Sequence, residues 1–281
     1  LSSNHACAKN VRVPRGVPHV CYCHTPMRYA WDESLLEGED IGRVTRLALP
    51  LMLRRLRRQD VQGASSPDVF VANSRNVADR IRRYYGRVAE VVNPPVDVTA
   101  LLALPRSPDD HYLVFGRVVP YKHVELAVGA CVSVHRQLKV AGDGRAMASV
   151  RAAAMGRDGI ELLGRVEDAE RDALMGGARA LLFPGEEDFG IVPVEAQAAG
   201  LPVIAYEVGG ASETVVDGHT GVLFAEQSVR GLAAAIERFE GMSFDERAIR
   251  ANAERFGRER FRAEMGSVIM RAADARAAGG A

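Results

Sequence analysis

The sequence predicts an α/β fold made of two successive parallel-sheet units. Short apolar runs such as VFVA at 69–72 and LLF at 181–183 recur along the chain, each closed by Gly, Pro or Asn, with helically spaced segments between them. That strand–helix–strand rhythm is the mark of a parallel sheet. Residues 93–110, NPPVDVTALLALPRSPDD, carry four prolines and interrupt the rhythm once. At 281 residues the chain has material for two ordinary domains. The expected division is a first unit at 1–95, a linker at 96–110, a second unit at 111–260 and a closing helix at 261–281.

In the first unit, VPHVCYCH at 17–24 reads as a strand, and Pro26 keeps the following HTPMRYAWD in a loop. An acid-rich connection leads to a helix from about Ile41, which Pro50 is expected to kink or end. From Leu51 to Gln62 the spacing is helical again, with Leu53 and Leu56 inward and Arg54, Arg55, Arg57 and Arg58 outward. A strand after Asp68, a cap at Asn73-Ser74, a helix over Val77–Tyr85 and a strand over Val88–Val92 complete it.

The second unit predicts strands over Tyr112–Phe115, Leu138–Ala141, Ile160–Leu163, Ala180–Phe183 and Pro202–Tyr206, and a small extended piece over Gly221–Phe224. Helices are expected over Val124–Val134, Met147–Met155, Asp168–Gly176, from the region of Pro193 to Ala199, and briefly over Ala211–Val216. Two Arg- and Ala-rich helices should finish the chain.

The formal charge is zero and the pI about 7.2, so a nucleic-acid partner is not indicated. The balance is uneven: residues 1–95 hold fifteen Lys/Arg against nine Asp/Glu, a surplus of +6, and the remainder holds 21 against 27, or −6. Four cysteines in a chain this long do not make a disulfide scaffold. His19, Cys21, Cys23 and His24 invite a zinc reading, but strand alternation puts both thiols on one face as small buried hydrophobes. The sequence has no run of 18 apolar residues and no leader with a charged start and apolar middle, so a cytoplasmic location is expected.

Chemistry concentrates in LLFPGEEDFGIVPVEAQAAG at 181–200. Pro193 suits the first turn of a helix and Gly200 with Pro202 ends it. Glu187 and Glu195 then flank a helix N-terminus, a place that favours anions. Two carboxylates there make sense if a ligand brings hydroxyls for them and phosphates for the backbone N–H groups. A nucleotide sugar has both. The alternative is a solvated acidic loop. Arg117 and Lys122 follow the strand YLVFGR, and in an open parallel sheet the ligand crevice lies at the carboxyl ends of the strands. Gly142-Asp143-Gly144 is too short a signature for a dinucleotide site and reads as a tight turn.

These segments resemble retaining glycosyltransferases of the GT-B type, family 4. Glu187-DFGIVPV-Glu195 is similar to that family's paired-glutamate signature. HTPMRYAWD at 24–32 and FPGEEDFGIVPVEAQA at 183–198 look most like its bacterial mannosyltransferases. The resemblance implies two Rossmann-like domains facing across a cleft. It implies Arg117 and Lys122 as a diphosphate clamp, Glu195 on the ribose hydroxyls and Glu187 on the donor sugar. Gly190 and Ile191 would reach the phosphates, Val166 the base, and Gly209-Gly210 with Glu213 the phosphate side. His24 would face the donor sugar from the first domain, with Arg28 and Trp31 on the acceptor side, although packing accounts for Trp31 equally well. No cofactor or metal is implied, and the chain contains no Asp-x-Asp. The donor implied is GDP-mannose, with a glucosyl or N-acetylglucosaminyl donor as the alternative, and the acceptor a saccharide or polyprenyl-linked sugar. A non-catalytic nucleotide-sugar-binding module is the rival from another class.

By the same resemblance the first domain is incomplete: the chain opens at a point well inside it, and Asn10 stands where a glycine is expected. Sheet edges left unpaired and poor activity of this polypeptide alone follow as expectations. The arginine face at 54–58, with Arg80, Arg82, Arg83 and Arg87, suits either a solvated surface or peripheral contact with anionic lipid around a polyprenyl acceptor.

Overall fold

The computed structural model describes residues 1–4, 6–32 and 43–278, without the side chains of 43–47. The acid-rich connection and the helix start expected near Ile41 lie outside the described residues. The chain forms two compact units, one of Leu1–Pro94 with the C-terminal helix from Phe261, the other of Pro95–Arg260.

The first unit holds a parallel sheet of β1 (Ser2–Asn4), β2 (Val20–Cys23), β3 (Val69–Ala72) and β4 (Ala89–Val91), in that order. Only β1 lacked a sequence signal, because SSN is polar; it is held by register with Cys21, Tyr22 and Cys23. Around the sheet lie α1 (Arg28–Trp31), α2 (Arg43–Gly63) and α3 (Arg75–Tyr85). Of the kink or end expected at Pro50, the end does not occur: α2 runs through it. Leu53 is buried as expected, but Leu56 is exposed and Arg57 turns inward to donate to the Ala30 carbonyl. The helix therefore seats on Leu53 and Asp60, and Arg57 can leave water because a carbonyl receives it. Ser74 caps α3 by accepting from the Val77 N–H at 3.1 Å, and Gly86 closes it in the left-handed region at φ 63°. Cys21 and Cys23 share one buried cluster with Phe70 and Ile81, as the alternation predicted, and are free thiols.

The second unit contains α4 (Thr99–Leu102), β5 (His111–Phe115), α5 (Val124–Ser133), β6 (Gln137–Ala141), α6 (Met147–Ala154), β7 (Ile160–Gly164), α7 (Asp168–Gly177), β8 (Leu181–Phe183), α8 (Ile191–Ala198), β9 (Val203–Tyr206), α9 (Ala211–Thr214) and β10 (Gly221–Phe224). All six strands are parallel, in the order β10-β9-β8-β5-β6-β7. Two apolar clusters, one on each face, bury strands that are near-continuously hydrophobic. Three helices follow β10 rather than two: α10 (Val229–Glu240), α11 (Glu246–Glu254) and α12 (Arg258–Ala278). The Gly241–Asp245 break, with Asp245 capping α11, divides what the Arg/Ala composition ran together.

The proline-rich connection is structured. Val96 bridges to Gly257, and the Arg250 guanidinium donates to the carbonyls of Leu101, Leu102, Leu104 and Ala198 at 2.7–3.1 Å. One partly buried cation thus satisfies C-terminal carbonyls of both α4 and α8. From Met265 onward α12 packs Met265, Val268 and Ala272 against Val20, Tyr22 and Val71 of the first sheet. Among the described residues no helix is long and apolar enough to cross a membrane.

Candidate active site

Strand order places the site. The chain adds β6 and β7 on one side of β5, then crosses to add β8, β9 and β10 on the other. The connections leaving β5 and β8 therefore diverge, and the crevice outside their carboxyl ends is where open parallel sheets bind ligands. Arg117 and Lys122 lie on the connection after β5, and Glu187, Gly190 and Ile191 on that after β8. Lys122 Nζ stands 2.7 Å from Glu187 Oε1, with both side chains largely shielded, at 14% and 20% exposure. Arg117 is exposed two residues beyond the end of β5.

Glycines let these loops approach backbone to backbone. A Cβ on Gly142 would lie 1.8 Å from the Gly116 carbonyl oxygen, and one on Gly144 2.1 Å from that of Val118. At Gly185 it would meet Lys122 Cα at 2.6 Å. Gly210 packs on Phe189, with a Cβ position 2.2 Å from its Cα, and its N–H donates to the Glu187 carbonyl at 2.8 Å. The Gly-Asp-Gly turn and the Gly209-Gly210 pair are thus the contacts that seat the cationic and acidic loops. Sequence reading gave both as turns; their contact role depends on which strands are neighbours.

Gly190 precedes α8 in the left-handed region at φ 86°, Ile191 opens the helix with its side chain exposed, and Pro193 sits in the first turn as expected. Glu195 is one turn further on and half-buried. Burial holds its carboxyl above the usual range; Arg171 on α7 opposes that rise and Asp168 adds to it. Val166, on the β7–α7 connection, is partly buried against the core. Arg171, which also pairs with Asp168 and Asp172, is the neighbour of Glu195 that sequence reading missed. The charged run EDAERD at 167–172 was its only signal. A buried polar set fixes α8: Gln197 donates to the carbonyls of Pro193 and Thr214, and Asn252 to Gln197 Oε1 at 2.7 Å.

In the first unit His24 follows β2 and is exposed, its Nε2 2.9 Å from Ser3 Oγ and its ring edge-on to Tyr22. Arg28 pairs with Asp32 at 3.5 Å. The Trp31 indole donates to Asp60 at 2.8 Å and stacks on Tyr84 at 4.5 Å. Asp60 is buried and also receives Lys9 and the Tyr85 hydroxyl. A cavity of about 140 Å³ lies between Arg28, Trp31, Asp32, Arg80 and Tyr84. In the second unit a cavity of about 400 Å³, lined by His111, Lys139 and Glu170, opens where β5 begins, at the opposite end of that strand from Arg117 and Lys122.

The sequence profile described as glycosyl transferases group 1 matches residues 104–256, and that of glycosyltransferase family 4 matches residues 2–100. The chain belongs to the group 1 glycosyltransferases. A glycogen synthase of Mycobacterium tuberculosis is 30% identical to this glycosyltransferase over 225 residues, covering 72% of the chain and 53% of the relative. A D-inositol 3-phosphate glycosyltransferase of Segniliparus rotundus is 29% identical over 277 residues, covering 87% and 59%. The chain thus spans about half the length of the curated relatives it matches. A crystal structure of Anabaena Alr3699/HepE in complex with UDP superposes with a TM-score of 0.70 at 20% identity, covering 90% of this chain and 72% of that one. The glycosyltransferase therefore has the GT-B architecture of two Rossmann-like domains with parallel sheets.

Proposed function

We propose that this glycosyltransferase is a retaining, metal-independent enzyme that transfers a hexose from a nucleotide-diphosphate sugar to a saccharide or lipid-linked acceptor. The observation that carries the reading is the meeting of the cationic and acidic loops at the β5/β8 switch point, marked by the Lys122–Glu187 pair. Glu195 takes the ribose hydroxyls, Glu187 the donor-sugar hydroxyls, and the Gly190 and Ile191 N–H groups with Arg117 and Lys122 the diphosphate. Val166 lies by the base. As the bond from the anomeric carbon to the phosphate oxygen breaks, its electron pair stays on the diphosphate, and the two cations stabilise that charge. The acceptor oxygen forms its bond on the same face and its proton passes to the departing phosphate oxygen. His24 orients the sugar, and Arg28 with Trp31 serves the acceptor.

GDP-mannose is the donor proposed, on the likeness of HTPMRYAWD and FPGEEDFGI to bacterial mannosyltransferases. UDP-glucose is the second reading, favoured by the HepE structure solved with UDP-glucose, 20% identical to this chain. Peripheral contact of the α2 arginine face with anionic lipid belongs to the same proposal. Calorimetric titration with GDP-mannose, UDP-glucose and UDP-N-acetylglucosamine tests the donor, and NMR of the transferred or hydrolysed sugar tests the stereochemistry. Binding of GDP-mannose with retained configuration is expected. Inverted product, or binding of a uridine donor alone, overturns the mechanism or the donor respectively. Binding of a donor with neither transfer nor hydrolysis would instead favour a nucleotide-sugar-binding module.

A further inference from the structure

Glu187 and Lys122 are assigned above to different parts of one donor, yet they are paired with each other, and the inference that follows rests on that assignment. The ammonium lies 2.7 Å from Oε1, a buried oxygen for which no further partner is found among the described residues. The ammonium also lies beside Gly116, where an added Cβ would stand 3.4 Å from it. A phosphate that reaches Lys122 therefore brings its charge close to the Glu187 carboxylate, in a shielded place where repulsion is not screened away.

The size of that repulsion depends on the ligand. In a nucleotide sugar the outer phosphate is esterified to the sugar and joined to the inner phosphate as an anhydride, which leaves it a single negative charge, and the attached sugar offers hydroxyls that a carboxylate can accept from. In the free nucleoside diphosphate the outer phosphate keeps only its anhydride link and carries close to one further negative charge at neutral pH, and it brings no donor-sugar hydroxyl. Glu187 accordingly meets the substrate with compensation and the product without it. We propose that Glu187, through its ion pair with Lys122, is the residue that makes this site prefer the nucleotide sugar to the nucleoside diphosphate left after transfer, and so expels the product.

Calorimetric titration of the full chain with GDP, UDP and their sugar conjugates, repeated for Glu187→Gln, tests this. The amide keeps the shape and removes the charge. Glu187→Gln should bind the free diphosphate on the order of tenfold more tightly, while binding the nucleotide sugar no better. Glu187→Asp keeps the charge and should keep the wild-type preference, so a folding defect in one variant does not decide the result. A Glu187→Gln protein that binds the free diphosphate as weakly as the wild type overturns the inference and leaves the donor site standing. A wild-type chain that binds neither nucleotide overturns the donor site and the inference together.

Discussion

In the first sheet the strands β1, β2, β3 and β4 lie in chain order, whereas in the second β5 has β6 on one side and β8 on the other. Both sheets are parallel and both are closed by helices, so their sequence rhythms look alike. The second has a point where connections diverge, and a crevice follows from topology alone. Among the described strands of the first no such point occurs. Arg117, Lys122, Glu187 and Glu195 can therefore be placed by strand order, while His24, Arg28 and Trp31 rest on sequence resemblance. The loops differ in kind as well. Those of the second sheet touch through glycine backbones; the segment after β2 is tied by side chains, His24 to Ser3 and Trp31 to Asp60.

The largest expected effect breaks a backbone contact. Gly210→Ala forces a methyl group toward Phe189 Cα, at 2.2 Å, and toward its carbonyl oxygen, at 2.4 Å. Neither atom can rotate away, so the acidic loop must shift. A loss of about 3 kcal/mol is expected, at the upper end of overpacking costs, with donor affinity lost in parallel. Urea unfolding and nucleotide titration check both. An alanine variant with wild-type stability and affinity would show that the loop is not seated by this contact.

A side-chain tie should cost somewhat less and leave the donor alone. Trp31→Phe keeps a ring against Tyr84 but removes the donor to the buried Asp60 carboxylate. A hydrogen bond to a charged group contributes about 1.5–3 kcal/mol, so urea unfolding should register a loss in that range with nucleotide affinity unchanged. Full stability combined with reduced sugar transfer would move Trp31 from packing to ligand contact.

These two substitutions also separate what the sequence could disclose from what it could not. The strands of the second unit and its helices α5 to α9 were legible to within a residue or two, because Gly and Pro close each apolar run, whereas α4 was read as linker and the last helices were undercounted. The acidic pair and the two cations could be singled out because charge sat beside strand ends and a helix N-terminus. Gly210 on Phe189 and Arg171 beside Glu195 were not, since the first depends on β8 and β9 being neighbours and the second on the crossing to β8. In the first unit β1 escaped notice for want of apolar residues, and of the two outcomes open at Pro50 the ending does not occur, since a helix can continue past the one hydrogen bond that proline removes.

Glu195 gives a smaller effect with opposite signs for stability and binding. Its carboxyl is raised by burial, so the folded chain binds a proton more readily than the unfolded one. Stability then falls as pH rises from the ordinary glutamate range through the raised value, and the cost is fully present above it. Glu195→Gln should melt higher than the wild type at neutral pH, the difference disappearing in acid below the ordinary glutamate pKa. Nucleotide affinity should fall about tenfold as the charged acceptor is lost. Thermal melts across pH and titration at neutral pH check the two halves; a variant that melts lower at neutral pH would mean that Arg171 outweighs desolvation at this site.

The smallest effect sharpens the contrast between the glycines of the two units. Gly266 lies inside α12, and a Cβ there would meet nothing within 4 Å. Unlike Gly210 it supports no close approach, so its only consequence is the conformational freedom it adds to the unfolded chain and the weakness it gives a helix interior. Gly266→Ala should stabilise the chain by about 0.5–1 kcal/mol with donor affinity unchanged. The same Gly-to-Ala change is thus expected to act in opposite directions in the two units, because in one the missing side chain makes room for a neighbouring backbone and in the other it leaves the space empty. A destabilised Gly266→Ala protein would mean that α12 depends on that empty space after all, and would remove the contrast.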